Sequence, residues 1–423
     1  MRLNVNITGS LPASALSTPP RSGAPVPLTD NHPSSEARPL RAEATPSDCA
    51  VISAAAPVTA SSSSATAGAL AATQSSGRTG LGAALHSVVG AAGAAILHTV
   101  NGLELAGSGL LYEGQTKLTG LWHHLDAPLS KLPTPSIERP FVLVPGFTTG
   151  PKSFADLRGL LNRDGANGGQ TYFVKCGKFY TLGGDGQLQP LEGPPKQGKV
   201  FEMVWTDTHQ SPDRNLPEMR ENLDAICQAT GYDKVDAEGY SMGGLDSRLY
   251  LDQGGTQIHK LLMLGTPNHG TGFGEHASIM LDRGENWATK FAHVSNSDDE
   301  SLQWLREEKN SPKLQALNST WERQRAQVDD VLSLGANRAV TASATHFFGL
   351  AWGDGLVPES STPLPGTKSL DFHEALSHGL LNNDTKAQDA RCAFFGWTVP
   401  ADTAQKDPEF ARVSQEVQNA KLS

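Results

Sequence analysis

Short, largely apolar runs alternate with helix-like segments from residue 139 onward. Residues 141–144 and 258–264 are runs of the length that a parallel sheet buries on both faces. Residues 216–230 have the apolar spacing of an amphipathic helix, and Gly231 follows them as a suitable C-cap. Strands that alternate with helices in this way predict an α/β fold, with a mostly parallel sheet and helices on both of its faces.

The same patterns predict the remaining elements of the sheet. Further strands are expected at residues 200–205, 234–239 and 368–372, with a hairpin around residues 171–174 and a last helix around residues 385–394. The carboxyl ends of parallel strands meet at one edge of a sheet. A ligand site therefore belongs at that edge.

The alternation breaks over about residues 270–338, which predicts a helical insertion. Within it, Leu314, Leu317 and Trp321 recur at i, i+3 and i+7, the spacing of one apolar helix face. We expect the sheet to resume near residues 340–350, after the insertion.

The N-terminal part of the chain has a different composition. Residues 1–79 are rich in Ser, Ala, Pro and Thr and cannot bury enough apolar surface to fold, so we predict a disordered leader. Residues 80–138 are interpreted as a helical extension. Its uncharged run over 81–103 has the length of a membrane span, but its Ala, Gly and Ser content favours a buried or interfacial helix. The α/β domain then covers residues 139–398, and a polar tail covers 399–423.

Charge and cysteine spacing exclude several classes of protein. The net charge of −10 and the pI near 5.7 exclude the basic face of a nucleic-acid-binding protein. The four cysteines lie far apart, which excludes the common zinc patterns and favours free thiols, with a Cys176–Cys392 or similar bridge as the alternative. The first residues lack the apolar core of a secretory signal peptide. The leader resembles type III export leaders in composition, so the localisation stays open between the cytoplasm and such a route.

The strongest candidate for chemistry is the stretch Gly239-Tyr240-Ser241-Met242-Gly243. It follows a predicted strand and precedes a predicted helix, and this is the pattern of a nucleophile elbow, whose sharp turn lifts the serine hydroxyl above the sheet. The flanking glycines suit a turn where neighbouring backbone comes too close for a Cβ atom. Ser241 is therefore the predicted nucleophile.

A serine nucleophile needs a base and a group that orients the base. In a sheet of this kind the partners follow in the order Ser, Asp or Glu, His. Asp354 lies on a glycine turn after a predicted strand, and His378 follows the last predicted strand. We therefore predict Asp354 as the orienting acid and His378 as the base. Their rivals are Asp371, which lies inside a strand, and His373, which directly continues that strand.

Taken together, these motifs resemble those of bacterial lipases of the α/β-hydrolase superfamily. The matching stretches lie between residues 139 and 395 and are Val144-Pro-Gly-Phe147, Gly-Tyr-Ser-Met-Gly-Gly, Leu264-Gly-Thr-Pro-Asn, Pro312-Lys-Leu-Gln-Ala-Leu-Asn318, Asp354-Gly-Leu-Val-Pro and His378-Gly-Leu-Leu. The resemblance implies carboxyl-ester hydrolysis on lipid-like acyl chains, with Ser241, Asp354 and His378 in the roles given above. It also implies that the insertion over residues 270–338 is a substrate-covering lid.

The expected donors to the oxyanion are the backbone N–H groups of Met242 and Phe147. The chain departs from many lipases at Pro145-Gly146, where those enzymes have His-Gly, and at Tyr240, where they have His. Neither position supplies the chemistry itself, so the departures bear on the shape of the pocket. Glu238 occupies a strand position where an apolar residue is usual, and the sequence offers no explanation for it.

The sequence thus predicts a serine carboxyl-ester hydrolase, a lipase or phospholipase that works through an acyl-enzyme and uses no metal or cofactor. An acyltransferase or thioesterase with the same three residues is the alternative, and a non-catalytic lipid- or partner-binding protein is a third reading. The expected partner is a lipid or ester substrate, with transient membrane-surface contact and no nucleic acid. Acyl-chain length, head group and oligomeric state stay open.

Overall fold

The structure is a computed structural model. It describes Leu103, Ala106 and residues 128–195, 197–282, 284, 286, 289, 294–337, 339–342, 350–372, 377–401, 403 and 407–420. The predicted leader, nearly all of the predicted helical extension and the rival histidine His373 therefore lie outside the described residues. No helix within the described ranges is both long and apolar enough to cross a membrane.

The strands of the described chain form one large sheet and one small one. Their bounds are β1 (Phe141–Val144), β2 (Thr171–Lys175), β3 (Lys178–Leu182), β4 (Leu188–Pro190), β5 (Val200–Met203), β6 (Val235–Tyr240), β7 (Ile258–Leu264), β8 (Asp330–Ala336), β9 (Ala339–Ala342), β10 (Leu350–Gly353) and β11 (Lys368–Phe372). The large sheet has nine strands in the order β11-β8-β7-β6-β1-β5-β2-β3-β4, and β9 pairs with β10 in the small one. From β11 to β2 all neighbours are parallel, whereas β3 and β4 add an antiparallel edge.

The helices follow the strands as an α/β fold requires. Their bounds are α1 (Pro128–Lys131), α2 (Ala155–Leu161), α3 (Pro212–Thr230), α4 (Met242–Asp252), α5 (Gly272–Leu281), α6 (Asp299–Leu305), α7 (Pro312–Ser319), α8 (Trp321–Arg325), α9 (Thr385–Phe395) and α10 (Pro408–Asn419). Short 3-10 helices lie at Pro151–Phe154, Arg163–Gly168, Asn296–Asp298, Glu308–Asn310, Glu359–Ser361 and His378–Asn383.

The central strand β1 shows that both faces of the sheet are covered. Its residues are fully buried, and because side chains alternate along a strand, Phe141 and Leu143 enter one apolar cluster while Val142 and Val144 enter another. The first cluster takes in side chains of α2, α9 and α10, and the second takes in side chains of α3 and α4. The predicted α/β fold, with a mostly parallel sheet and helices on both faces, is confirmed.

The structure corrects the expected course of the sheet after the insertion. Strand β8 lies within the range predicted for the insertion, so the segment between sheet strands covers residues 265–329. The prediction missed β8 because polar and small residues interrupt its apolar run. Ser333 is nevertheless buried and donates to the carbonyl of Thr362, and Gly335 lies under Asp371. The expected strand near 340–350 is instead the separate pair β9–β10.

The predicted C-terminal tail contains the docked helix α10. Asp407 directly precedes this helix and caps its first turn. The Asp407 side chain accepts hydrogen bonds from the backbone N–H groups of Glu409 and Phe410. Val413 and Val417 are buried in the first apolar cluster, and Phe410 is partly buried against it. These three apolar side chains, spaced three and four residues apart, attach one face of the helix to the domain.

Glu238, which the sequence left unexplained, is half of a fully buried ion pair. Both oxygens of its carboxylate accept from the guanidinium of Arg391 on α9, at 2.6 Å from Nε and 2.8 Å from Nη2. On the same sheet, Glu202 of β5 pairs with Arg158 of α2. Both pairs connect a strand to a helix, and in each the partner is far away in sequence. A buried charge of this kind is tolerated because it is paired and hydrogen-bonded.

The cysteines differ in part from the expectation of free thiols. Cys227 and Cys392 are free, whereas Cys176 is disulfide-bonded. A disulfide bond at Cys176 is thus present, as the alternative allowed, but Cys392 is not its partner. Cys49 lies outside the described residues.

Candidate active site

Ser241 lies at the sharp turn between β6 and α4. Its backbone angles are φ 55° and ψ −127°, a conformation that is strained for a residue with a side chain, and only 9% of the residue is exposed. Glycine is required at the two flanking positions because neighbouring backbone atoms come too close there for a Cβ atom. A Cβ atom at Gly243 would lie 2.2 Å from the carbonyl oxygen of Val144, and one at Gly239 would lie 2.5 Å from the Cα of Gly244. The glycines therefore allow the strained turn to form.

Asp354 and His378 meet in a buried hydrogen bond. Asp354 follows β10, His378 begins a 3-10 helix, and the distance from His378 Nδ1 to Asp354 Oδ2 is 2.7 Å. The backbone N–H of His378 also donates to the carbonyl of Asp354, at 2.7 Å. The other carboxylate oxygen accepts from the backbone N–H groups of Leu356 and Val357, at 3.0 and 2.7 Å. The carboxylate is thus held by its own turn and can orient the imidazole.

The imidazole of His378 lies next to the turn that carries Ser241. Its ring stacks on the ring of Tyr240, with the ring centres 5.1 Å apart, and its carbonyl accepts from the Tyr240 hydroxyl at 2.8 Å. On the adjacent strand end, a Cβ atom at Gly265 would lie 3.1 Å from His378 Cε1 and 3.2 Å from Asp354 Oδ2. His378 Nε2 is buried, and the described chain offers it no hydrogen-bond partner. No described side chain, Ser241 included, therefore hydrogen-bonds to this nitrogen.

The rival acid Asp371 occupies a different place. It lies within β11, and its Oδ1 lies over Gly335 of the neighbouring strand β8. The hydrogen bond from His378 goes to Asp354 instead. Of the two acids that the sequence offered, Asp354 is the one that the structure brings to this histidine.

The two expected oxyanion donors lie on neighbouring segments. A Cβ atom at Gly146 would lie 2.8 Å from the Cβ of Ser241 and 3.0 Å from the backbone nitrogen of Met242, so the loop that leads into Phe147 touches the elbow. The next residue, Thr148, has a positive φ of 56° and donates its N–H to the carbonyl of Thr208. Within the described hydrogen bonds, the N–H groups of Phe147 and Met242 have no acceptor.

Helices of the insertion pack against α4, directly after the elbow. The apolar residues that meet there, called the insertion cluster below, are Met242, Leu245, Leu249, Ala277, Met280, Leu281, Val294, Leu302, Trp304, Leu305, Leu314 and Leu317. Phe147 packs against this cluster, and its ring meets His209 edge to face with the ring centres 5.2 Å apart. His209 Nδ1 in turn lies 2.7 Å from Asp298 of the insertion. The insertion therefore contacts the segments of both expected oxyanion donors.

Sequence reasoning missed Arg248, which joins the insertion to the elbow helix. Its guanidinium is fully buried and donates to the side-chain oxygens of Gln324, Asn268 and Asn318, at 3.1, 2.9 and 2.7 Å. Burial lowers the pKa of Arg248 to about 9. The available signal was a lone arginine among the apolar residues of α4, one of them Leu249. Its three amide partners could not be identified from spacing.

Comparisons with known proteins gave matches among solved structures. No model of a known protein family matches the sequence, and no curated protein matches it significantly. Lipases, esterases and phospholipases are among the solved structures that it matches. The mature form of Bacillus licheniformis lipase BlEst2 is 16% identical, over 63% of this chain and 94% of that one, with a TM-score of 0.42.

Two further matches cover less of the other protein. The propeptide form of the same lipase is 18% identical over 59% of this chain, with a TM-score of 0.39, and the match spans about half of its length, 49%. Phospholipase PlaB from Legionella pneumophila is 15% identical, over 66% of this chain and 64% of that one, with a TM-score of 0.40.

Proposed function

We propose that this protein is a serine carboxyl-ester hydrolase that acts on acyl esters of the lipid type. Ser241 is the nucleophile, His378 the base and Asp354 the acid that orients the base. One observation carries the proposal. The buried His378–Asp354 pair lies beside the strained turn of Ser241, and His378 Nε2 has no hydrogen-bond partner in the described chain, so it is open to a hydroxyl brought to it.

The reaction follows from the positions of these groups. Nε2 of His378 takes the hydroxyl proton as Ser241 Oγ attacks the ester carbonyl carbon, and the carbonyl electrons move to its oxygen. The protonated imidazole then gives its proton to the alkoxide as the bond between the alkoxide and the acyl carbon breaks. The acyl group stays on Ser241. Water, activated by the same imidazole, releases the acid and restores the hydroxyl. Asp354 holds the tautomer that these transfers need and stabilises the imidazolium.

Two backbone donors can stabilise the tetrahedral oxyanion. The N–H of Met242 is the first of α4, so it has no acceptor within that helix and lies at the positive end of the helix dipole. The N–H of Phe147 lies on the adjoining loop. Loss of one such donor typically lowers the rate about 10²–10³-fold.

The apolar surroundings of these donors favour acyl substrates. Met242 belongs to the insertion cluster, and Phe147 packs against it. A chain bound with its carbonyl at the oxyanion position would have apolar side chains next to it, and each buried methylene contributes about 0.8 kcal/mol. The insertion would then cover the bound acyl chain, which is the role of the predicted lid.

The test is a series of p-nitrophenyl esters of rising chain length, together with phospholipid vesicles, on wild type, Ser241→Ala and Ser247→Ala. Ser247 is a matched control because it is a buried serine on the same helix whose hydroxyl bonds the Gly243 carbonyl. We expect Ser241→Ala to lose at least about 10⁴-fold in kcat, and Ser247→Ala to stay within a few-fold. A fluorophosphonate should label wild type and not Ser241→Ala.

Each other outcome has a defined meaning. Equal ester cleavage by wild type and Ser241→Ala would overturn the proposal. Folded wild type that cleaves no ester and takes up no fluorophosphonate would indicate a binding protein. Transfer of the acyl group to an added alcohol in preference to water would indicate an acyltransferase that uses the same acyl-enzyme.

A further inference from the structure

Tyr240, which directly precedes Ser241, touches His378 in two ways. Its hydroxyl donates to the His378 carbonyl at 2.8 Å, and its ring stacks on the imidazole at an interplanar angle of 27°. Both contacts are buried, since 5% of Tyr240 and 4% of His378 are exposed. In so low a dielectric, a hydrogen bond and a stacked ring restrict motion more than they do at a surface.

The backbone of Tyr240 is itself held rigidly. It is the last residue of β6, a strand that lies between β1 and β7, and it pairs with Leu264 of β7. Phe154 meets its ring edge to face, with the ring centres 5.9 Å apart. Ser241 is the next residue along the chain. Any group that Tyr240 holds is therefore held in a fixed position relative to Ser241.

The other hydrogen bonds that the described residues give His378 do not provide this coupling. Asp354 holds the imidazole through Nδ1 and the backbone through the N–H of His378, but Asp354 follows the separate pair β9–β10. Tyr240 is thus the contact that ties the imidazole to the strand of the nucleophile. An error of about 1 Å in such an alignment lowers a rate by about 10²-fold.

We infer that Tyr240 is a positioning residue for His378, whose hydroxyl and ring set the imidazole so that Nε2 faces Ser241. The inference rests on the proposed function. It predicts that loss of the hydroxyl lowers the rate of the chemical step and leaves substrate binding nearly unchanged, since Tyr240 is buried behind the imidazole.

The test compares Tyr240→Phe with Tyr250→Phe in the full chain. Tyr250 is a matched control because it is a buried tyrosine on α4 whose hydroxyl bonds Gln257. With a p-nitrophenyl ester as the substrate, we expect Tyr240→Phe to lower kcat about 10-fold and to change KM less than about 2-fold. The rate of fluorophosphonate inactivation should fall by the same factor. Titration of reactive sites with that reagent corrects for any misfolded fraction.

A double-mutant cycle separates positioning from general damage. Tyr240→Phe is combined with His378→Ala, whose residual activity comes from substrate binding and the oxyanion donors alone. If Tyr240 acts through His378, the phenylalanine change has no further effect in that background. An equal loss with and without His378, or a kcat of Tyr240→Phe within about 2-fold of wild type, would overturn the inference. Failure of Ser241→Ala to abolish activity would instead overturn the proposed function.

Discussion

The two oxygens of Asp354 have different partners. Oδ1 accepts from the backbone N–H groups of its own turn, and Oδ2 accepts from His378. The turn contacts remove the rotational freedom of the carboxylate, so the imidazole is oriented by the backbone as well as by charge. Asp371, the rival acid in the sequence, makes no described contact with His378. For an acid that orients a histidine, a glycine turn after a strand is therefore a better local indicator than a position inside a strand.

Replacement of the two acids by amides tests this assignment. In Asp354→Asn, the amide can present an N–H to Nδ1 and favour the wrong tautomer, so we expect kcat to fall about 10³–10⁴-fold. Asp371→Asn should stay within a few-fold of wild type. Ester hydrolysis by the two purified variants, with folding checked by circular dichroism, gives the comparison. A larger loss in Asp371→Asn would reverse the assignment.

At the scale of elements, the insertion is packed onto the helix that follows Ser241. Leu302 and Leu314 are fully buried in the insertion cluster, and Arg248 donates to side chains that α7 and α8 contribute. Opening these helices as a unit would expose apolar surface and leave a buried guanidinium without acceptors. We expect any lid movement to involve only part of residues 265–329.

Truncation of one insertion residue measures how tightly these helices are held. Leu314→Ala should lower the free energy of unfolding by about 2–5 kcal/mol, because it leaves a cavity in the insertion cluster. Gln315→Ala, the exposed neighbour on α7, should change it by about 0.5 kcal/mol or less. Urea denaturation followed by tryptophan fluorescence gives both values. An unchanged unfolding free energy for Leu314→Ala would show that the insertion opens freely.

At the scale of the whole molecule, helix α10 packs on α9 at the first apolar cluster. Asp389 of α9 is buried there, and Asp384, Asp407 and Glu409 lie near it. Asp384 and Asp407 cap α9 and α10 through their side chains. Burial raises the pKa of Asp389 to about 7, and the neighbouring carboxylates raise it as well.

This shifted pKa makes stability depend on pH. Between pH about 4 and pH 7, folded Asp389 keeps a proton that the unfolded chain has lost, so its contribution to stability falls as the pH rises through this window. Asp389→Asn imitates the protonated form. The unfolding free energy of this variant, relative to that of wild type, should rise by about 2 kcal/mol from pH 5 to pH 8. Urea denaturation at each pH measures both values. Asp185→Asn, at an exposed position, should show no such trend. If the difference in unfolding free energy between Asp389→Asn and wild type does not change with pH, Asp389 is not the group that holds the proton.

The sequence by itself determined the features that local patterns express. The parallel strands β1 and β7 follow from short apolar runs, and the turn at Ser241 follows from two glycines that let neighbouring backbone approach closely. In both cases the physical constraint acts within a few residues or along a regular strand. The pairing of Asp354 with His378 was expected from strand ends at one edge of a single sheet, but Asp354 follows β10 of the separate pair β9–β10, so that reason does not hold.

Only the tertiary structure decided the rest. Strand β8 is identified by its neighbours, since Ser333 and Gly335 hide its apolar pattern. Glu238 is explained by Arg391, which is 153 positions away, and the hydroxyl of Tyr240 reaches a carbonyl 138 positions away. Such contacts depend on which elements pack together. Packing is set by the whole core, so no local pattern encodes a buried polar group's partner.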